Sequence, residues 1–143
     1  MTLIQLVYSS LSAVPIGSGE MIEILEPARA SNERDSITGL LAFSGTAFLQ
    51  VLEGERAIVT QRFARIAADK RHRDVELIGV LYPTERRFPD WSMGFAGFKS
   101  FKLDLVQKYS ASGELNGASL RPDNALALLA ELAGREKRPD VAP

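Results

Sequence analysis

The order of apolar patterns predicts an α+β fold, βαββαββ, with a five-stranded mixed sheet, two helices on one face and C-terminal helices on the other. Three observations predict it. Apolar runs of strand length occur at 3–8, on both sides of Ser44-Gly45-Thr46, at 75–82 and at 91–98. Two stretches, about 20–31 and 56–70, carry apolar residues at the i, i+3, i+4, i+7 spacing of a one-sided helix. After Lys99 helical spacing returns.

Strand 1, residues 3–8, puts Ile4, Leu6 and Tyr8 on one face. Residues 9–19 are rich in Ser, Gly and Pro and read as a loop. Helix 1 buries Met21, Ile24, Leu25 and Ala28. Pro27 lies inside it and removes a backbone hydrogen bond, which predicts a kink or an irregular turn. Residues 32–36 connect to a central hairpin, ITGLLAFSGTAFLQVLEG at 37–54, whose turn contains Gly45. Helix 2 has an apolar stripe of Val59, Phe63 and Ile66. Arg65 and Asp69 are four apart on one face and can pair. The charged stretch 69–74 ends this helix. Strand 4 is 75–82, a polar loop fills 83–90, and strand 5 is 91–98.

This order resembles the ferredoxin-like split βαβ unit with an added strand. Strands 1 and 3 are then central neighbours, so Tyr8 and Gln50 could lie side by side. Beyond it, Phe101, Leu105 and Tyr109 recur at helical spacing, with breaks at Ser112-Gly113 and Asn116-Gly117. Pro122 suits the first turn of a last helix with Leu126, Leu129 and Leu132 on one side, stopped by Gly134. The reading is a domain at 1–98, a helical extension at 99–134, and a charged, proline-bearing tail at 135–143 expected to be disordered.

Composition narrows the chemistry. The 143 residues suit one core with an appendage, and a net charge of −1 offers no basic field for nucleic acid. With no cysteine, disulfides, thiol catalysis and cysteine zinc sites are excluded. His72 is the single histidine, so no multi-histidine metal site forms within one chain. MTLIQLVYSS lacks the pattern of a signal peptide, and no apolar run approaches the ~20 residues of a membrane span. A soluble, cytoplasmic protein is expected. GxSxG, a glycine-rich phosphate loop and HExxH are absent. Nothing in the spacing of Ser9, Ser10 and His72 supports a hydrolytic dyad. Gly17-Ser18-Gly19 before helix 1 is a weak anion signal.

Gln50 is the anomaly. It shares a strand face with Phe48 and Leu52, yet its amide has two donors and two acceptor lone pairs to satisfy. Unpaired, they would cost about 1–3 kcal/mol. Singly, Tyr8, Asn32, Arg65 and Asp69 have ordinary explanations: a strand end, a turn cap, a surface ion pair. Together with Gln50 they could floor a cleft between the helices, walled by Ile24 and Ile66. A flat heteroaromatic ring with carbonyl and ring-nitrogen edges would satisfy such a floor.

Five segments carry a specific resemblance: LVYSS at 6–10, Asn32 with ITGLL at 37–41, FLQVLEG at 48–54, DKRHRDV at 69–75 and RRFPDWSMGF at 86–95. In order and spacing they resemble the BLUF family of flavin-using blue-light sensors over about residues 2–98. Pro27 and Ser31 depart from the family pattern; position 31 often holds Asn or His there. The resemblance implies a bound flavin, FAD first, with FMN and riboflavin left open. It implies that Tyr8 is the photochemical electron and proton donor and that Gln50 lies between it and the flavin. Asn32 would bond the ring's polar edge. Ile24 and Ile66 would sandwich the ring, with Phe48 beside it. Arg65 and Asp69 fall toward its pyrimidine side, and Arg71 and His72 near the ribityl and phosphate. Trp91 and Met93 match the switching pair near Gln50.

On that resemblance the chain is no enzyme. Electron and proton transfer from Tyr8 would let the Gln50 amide rotate or tautomerise, shift the absorption to the red, and bias strand 5 and the C-terminal helices. Residues 100–134 are too few for an output enzyme. A separate signalling protein or a homo-oligomer is expected, the latter because exposed leucines such as Leu126 and Leu129 need cover. The rivals are a small ferredoxin-like enzyme or ligand-binding module without photochemistry, and a light-insensitive scaffold.

Overall fold

The computed structural model of the protein describes residues 2–97, 107–109 and 120–135. Its elements run β1 (Leu3–Ser12), α1 (Ser18–Arg34), β2 (Thr38–Phe43), β3 (Ala47–Glu55), α2 (Arg56–Ala68), β4 (His72–Leu81), β5 (Gly94–Ala96) and α3 (Pro122–Arg135). One sheet holds all five strands in the order β4-β1-β3-β2-β5. β1 is antiparallel to β3 and β4, and β2 is antiparallel to β3 but parallel to β5. This is the predicted ferredoxin-like sheet with its added strand.

The hairpin turns where the sequence places it. Ser44 N donates to Ala47 O at 3.0 Å, Ala47 N donates to Ser44 Oγ at 3.1 Å, and Gly45 takes a φ of 104° that a side chain would strain. The sheet is covered on both faces, which is why its inner strands read as near-continuous apolar runs. Ile4, Leu6, Tyr8, Phe48 and Leu52 pack with Met21 and Leu25 of α1 and Val59 of α2. On the other face Val7, Leu40, Leu49 and Val51 pack with Ala125, Leu128, Leu129 and Leu132 of α3. α3 begins flat against the sheet: a Cβ on Gly79 would fall 2.3 Å from Pro122 Cγ.

Several local expectations are corrected. Strand 5 is only Gly94–Ala96, so Trp91 and Met93 precede it; the carbonyls of 91–93 bond to Gly39 N and to side chains of α1 instead of a ladder. Asn32 belongs to α1, not to the connection, because its inward side chain is bonded on both atoms. α1 also runs through Pro27, which sits on its exposed side. Arg65 and Asp69 do not pair. α2 ends at Ala68, Asp69 turns extended with ψ 131°, and its carboxylate leaves the helical face to meet Arg71 Nη2 at 2.5 Å.

Leu129 is fully buried and Leu126 half-buried within this chain's own second core, so neither leucine calls for an oligomer. Gly134 lies inside α3 and does not stop it. Of the residues at helical spacing after Lys99, Tyr109 falls in a helical turn at 107–109. Phe98, Phe101, Leu105, the breaks at 112–117 and the tail 136–143 lie outside the described residues.

Candidate functional site

Strand register builds the centre of the site. The antiparallel pairing of β1 and β3 sets Tyr8 directly opposite Gln50 on the face beneath α1 and α2. Both are buried, at 1% and 6% exposure. The Tyr8 hydroxyl donates to Gln50 Oε1, and Gln50 Nε2 donates to Met93 Sδ at 3.2 Å. Burial, and secondarily the Asp69 carboxylate, push the Tyr8 phenol well above its ordinary value. Tyr8 is therefore neutral and keeps its own proton, which it donates in a hydrogen bond to the Gln50 oxygen.

Asn32 forms a second node. Its Nδ2 donates to Ser92 O at 2.8 Å, and its Oδ1 accepts from Arg62 Nη1. Arg62 also pairs through Nη2 with Asp35, joining α2 to the end of α1. Sequence reasoning chose Arg65 and missed Arg62. The signal was available: Arg62 and Ile66 are four apart and share a helix face.

The segment 91–93 is tied at consecutive carbonyls. Trp91 O accepts from Gly39 N at 3.0 Å, Ser92 O from Asn32, and Met93 O from Arg29 Nε at 2.8 Å. Its Trp91 and Met93 side chains go to opposite cores. Met93 is buried with Tyr8 and Phe48, while Trp91 packs with the α3 core and tilts against Phe88 at 6.0 Å. The indole lies over Gly94, where a Cβ would fall 2.0 Å from Trp91 Cε3. Between this segment and α3 lies an open cleft of about 390 Å³, lined by Phe88, Pro89, Trp91, Ala130 and Ala133.

A buried carboxylate on the far face holds the preceding stretch, 86–88. Gln5, Glu53 and Thr38 stand in register across β1, β3 and β2. Glu53 is 0% exposed. Its Oε2 accepts from Gln5 Nε2 at 2.8 Å and Arg87 N at 2.6 Å, and its Oε1 from Thr38 Oγ1 at 3.0 Å and Phe88 N at 2.9 Å. Arg86 adds bonds to Thr38 Oγ1 and to Glu53 O. Glu53 lies within the FLQVLEG motif, where nothing local in the sequence marks it for this role.

Around the floor, Ile24 and Ile66 are half-buried against the first core, Phe48 is buried, and Phe63 lies 5.3 Å from the Tyr8 ring. His72 sits 4.6 Å from Phe48 and 6.3 Å from Tyr8 and shares a 2.6 Å hydrogen bond between Nδ1 and Ser10 Oγ. Burial lowers its pKa, partly offset by Asp69, so the imidazole is neutral near pH 7. Ser10 and His72 do meet, but they make no hydrolytic triad. Ser10 is 2% exposed, and hydrogen bonds from Arg71 hold the Asp69 carboxylate at about 2. Arg65 is exposed on α2, away from this hydrogen-bonded set.

A flat ring with carbonyl and nitrogen edges fits these donors. Gln50 and Asn32 each carry one more amide hydrogen than the bonds above use. Ile24, Ile66 and Phe48 supply apolar surface of the kind a planar ring needs. Among the described residues no group of three or more His, Cys, Asp or Glu could hold a metal ion, and no helix is long and apolar enough to cross a membrane.

Comparison with known proteins agrees with this chemistry. A family model described as BLUF, sensors of blue-light using FAD, matches residues 3–94. Photoactivated adenylate cyclase subunit alpha of Euglena gracilis is 40% identical over 85 residues, 59% of this chain and 8% of that protein. The blue light- and temperature-regulated antirepressor BluF of Escherichia coli (strain K12) is 33% identical over 86 residues, 60% of this chain and 20% of that protein. This chain thus spans a small part of the curated relatives it matches. Among solved structures, the BLUF protein BlrB in its dark state superposes with a TM-score of 0.75 at 28% identity, covering 94% of this chain and 96% of that one. The photo-activated state of BlsA superposes at 0.79 and 26% identity, covering 95% and 98%.

Proposed function

Because this chain belongs to the BLUF family, the sensors of blue light using FAD, we propose that light acts on the line Tyr8–Gln50–Met93 and reaches α3 through the Trp91 segment. The observation that carries this reading is the unbroken hydrogen bonding from a buried neutral phenol, through one amide, to a thioether on the loop before β5. Ile24, Ile66 and Phe48 would hold the flavin ring, with Asn32 and Gln50 bonding its polar edge. Arg65, Asp69, Arg71 and His72 are assigned to its remaining contacts, Arg71 and His72 on the ribityl and phosphate side. FAD is the expected form. Bound there, the flavin supplies a blue-absorbing ring that becomes a strong oxidant when excited.

The chain's own residues do the rest. Loss of an electron turns a phenol into a strong acid, and the Tyr8 O–H already aims its proton at Gln50 Oε1; electron and proton would pass to the excited flavin and return to Tyr8 when the pair recombines, so the cycle has no net redox change. With the proton displaced, only the weak bond to Met93 Sδ holds the amide in its original sense. A half-turn of the Gln50 amide would set its oxygen against Met93 Sδ and its nitrogen against Tyr8. Met93 would lose its donor, and the strand–loop junction would have two hydrogen-bonded arrangements. Met93 is two residues from Trp91, which packs on the α3 core, so the cleft between Trp91 and α3 is the proposed output surface. No cysteine is available for a covalent adduct, and this scheme needs none.

A separate downstream protein or a second copy of the chain would read that surface, in the cytoplasm. The chain itself acts as a sensor and not as a catalyst. The test is an absorption spectrum of the purified protein before and after blue light. A flavin spectrum with a small, reversible red shift is expected. Bound flavin without a shift would overturn the switch, and a colourless protein that FAD does not reconstitute would overturn the cofactor.

A further inference from the structure

Gln50 donates to a thioether, a weak acceptor that cannot by itself keep Met93 in place. The first core packs its side chain, and backbone hydrogen bonds hold the segment that carries it. Of the groups holding carbonyls 91–93, Gly39 N is part of β2, and Asn32 is also assigned to the flavin. Arg29 does neither of these. It lies three residues before Asn32 on the same face of α1, is half-buried, and donates Nε to Met93 O at 2.8 Å across 64 residues of sequence. A hydrogen bond from a guanidinium is charge-assisted and roughly twice as strong as a neutral one.

We propose that Arg29 is a positioning residue that latches the Met93 backbone, so that the thioether sits within reach of Gln50 and returns there after each light cycle. This inference rests on the light-driven reading above. When the Gln50 amide turns, the bond to Met93 Sδ is lost while the bond from Arg29 to Met93 O stays. With the latch present, Met93 remains poised for return. Without it, Met93 moves further from Gln50 on illumination, and the return must first rebuild the loop.

The experiment compares the parent, Arg29→Ala and Arg29→Lys as purified flavin-bound proteins. Dark recovery of the red-shifted absorption is expected to be several-fold slower in Arg29→Ala, with the dark spectrum and flavin content unchanged. Arg29→Lys, which keeps a cationic donor, should recover part of the parent rate. Recovery that is unchanged or faster in Arg29→Ala would overturn the latch. A second readout does not depend on light. The carbon-13 ε-methyl signal of Met93, identified by its loss in Met93→Leu, should move toward a mobile, averaged position in dark Arg29→Ala. An unmoved Met93 signal overturns the latch whether or not the parent photoswitches. A moved signal in a chain whose parent shows no red shift upholds the latch and overturns the light-driven reading alone. Should Arg29→Ala fail to fold, Arg29→Gln replaces it, with the same outcomes read in the same way.

Discussion

Tyr8 and Gln50 face each other across the β1–β3 ladder, and the phenol of one donates to the amide oxygen of the other with both side chains buried. The bond orients the amide: with its oxygen toward Tyr8, its nitrogen must face Met93. Tyr8→Phe removes that donor while keeping the ring that packs against Phe63. We expect Tyr8→Phe to bind flavin and lose the light-induced red shift, with stability lowered by about 0.5–1.5 kcal/mol. A normal light response in this variant would falsify the role of Tyr8.

Glu53 should matter to stability out of proportion to its distance from the flavin-facing floor. Its two carboxylate oxygens take two donors each. Glu53→Gln replaces one acceptor oxygen with an NH2 that must confront two other donors. We expect a loss of about 1–3 kcal/mol. Urea unfolding should show a lower midpoint at unchanged slope. An unaltered midpoint would mean that the 86–88 segment is held by something other than this carboxylate.

Leu129 tests whether α3 is integral to the domain. It is 0% exposed against the sheet, so Leu129→Ala should destabilise the folded chain by about 2–5 kcal/mol. Denaturant unfolding reads this directly, and size-exclusion chromatography should show the same oligomeric state as the parent. A change of oligomeric state with little loss of stability would return Leu129 to an intermolecular role.

The buried titratable groups set a window of stability. The His72 pKa is lowered by burial, so its contribution is full above the ordinary 6.5 and is lost as the pH falls through the folded value. The Tyr8 pKa is raised by burial, so its contribution is full below the ordinary 10.0 and is lost as the pH rises through the folded value. Urea midpoints measured from about pH 5 to about pH 11 should fall at both ends. His72→Gln should flatten the acid limb only. An acid limb identical to the parent's would show that His72 is not its source.

The fold was legible because its signals are local. Apolar runs of strand length, the helical stripes of Met21–Leu25 and Val59–Phe63–Ile66, and the Ser44-Gly45-Thr46 turn are each read within a few neighbouring residues. The ferredoxin-like order then made Tyr8 and Gln50 neighbours before any register was known. Element ends were less legible. Asp69 looked like the partner of Arg65 because a helix was assumed to continue, and one extended residue was enough to turn its carboxylate toward Arg71.

By itself, the sequence determined the order of elements, the two covered faces, the family motifs and the demand that Gln50 find polar partners, since these follow from chain-local periodicity and from the chemistry of a buried amide. Tertiary structure decided who the partners are. Arg29 reaches Met93 across 64 residues, Arg62 reaches Asn32 across 30, and Glu53 gathers Gln5, Thr38 and the 87–88 amides from three other segments. It also decided that Met93 faces Gln50 while Trp91 packs on α3 and that Leu129 is covered at home. The physical reason is that a hydrogen bond forms only when geometry brings donor to acceptor, and long-range geometry exists only once the sheet has closed and both faces are packed.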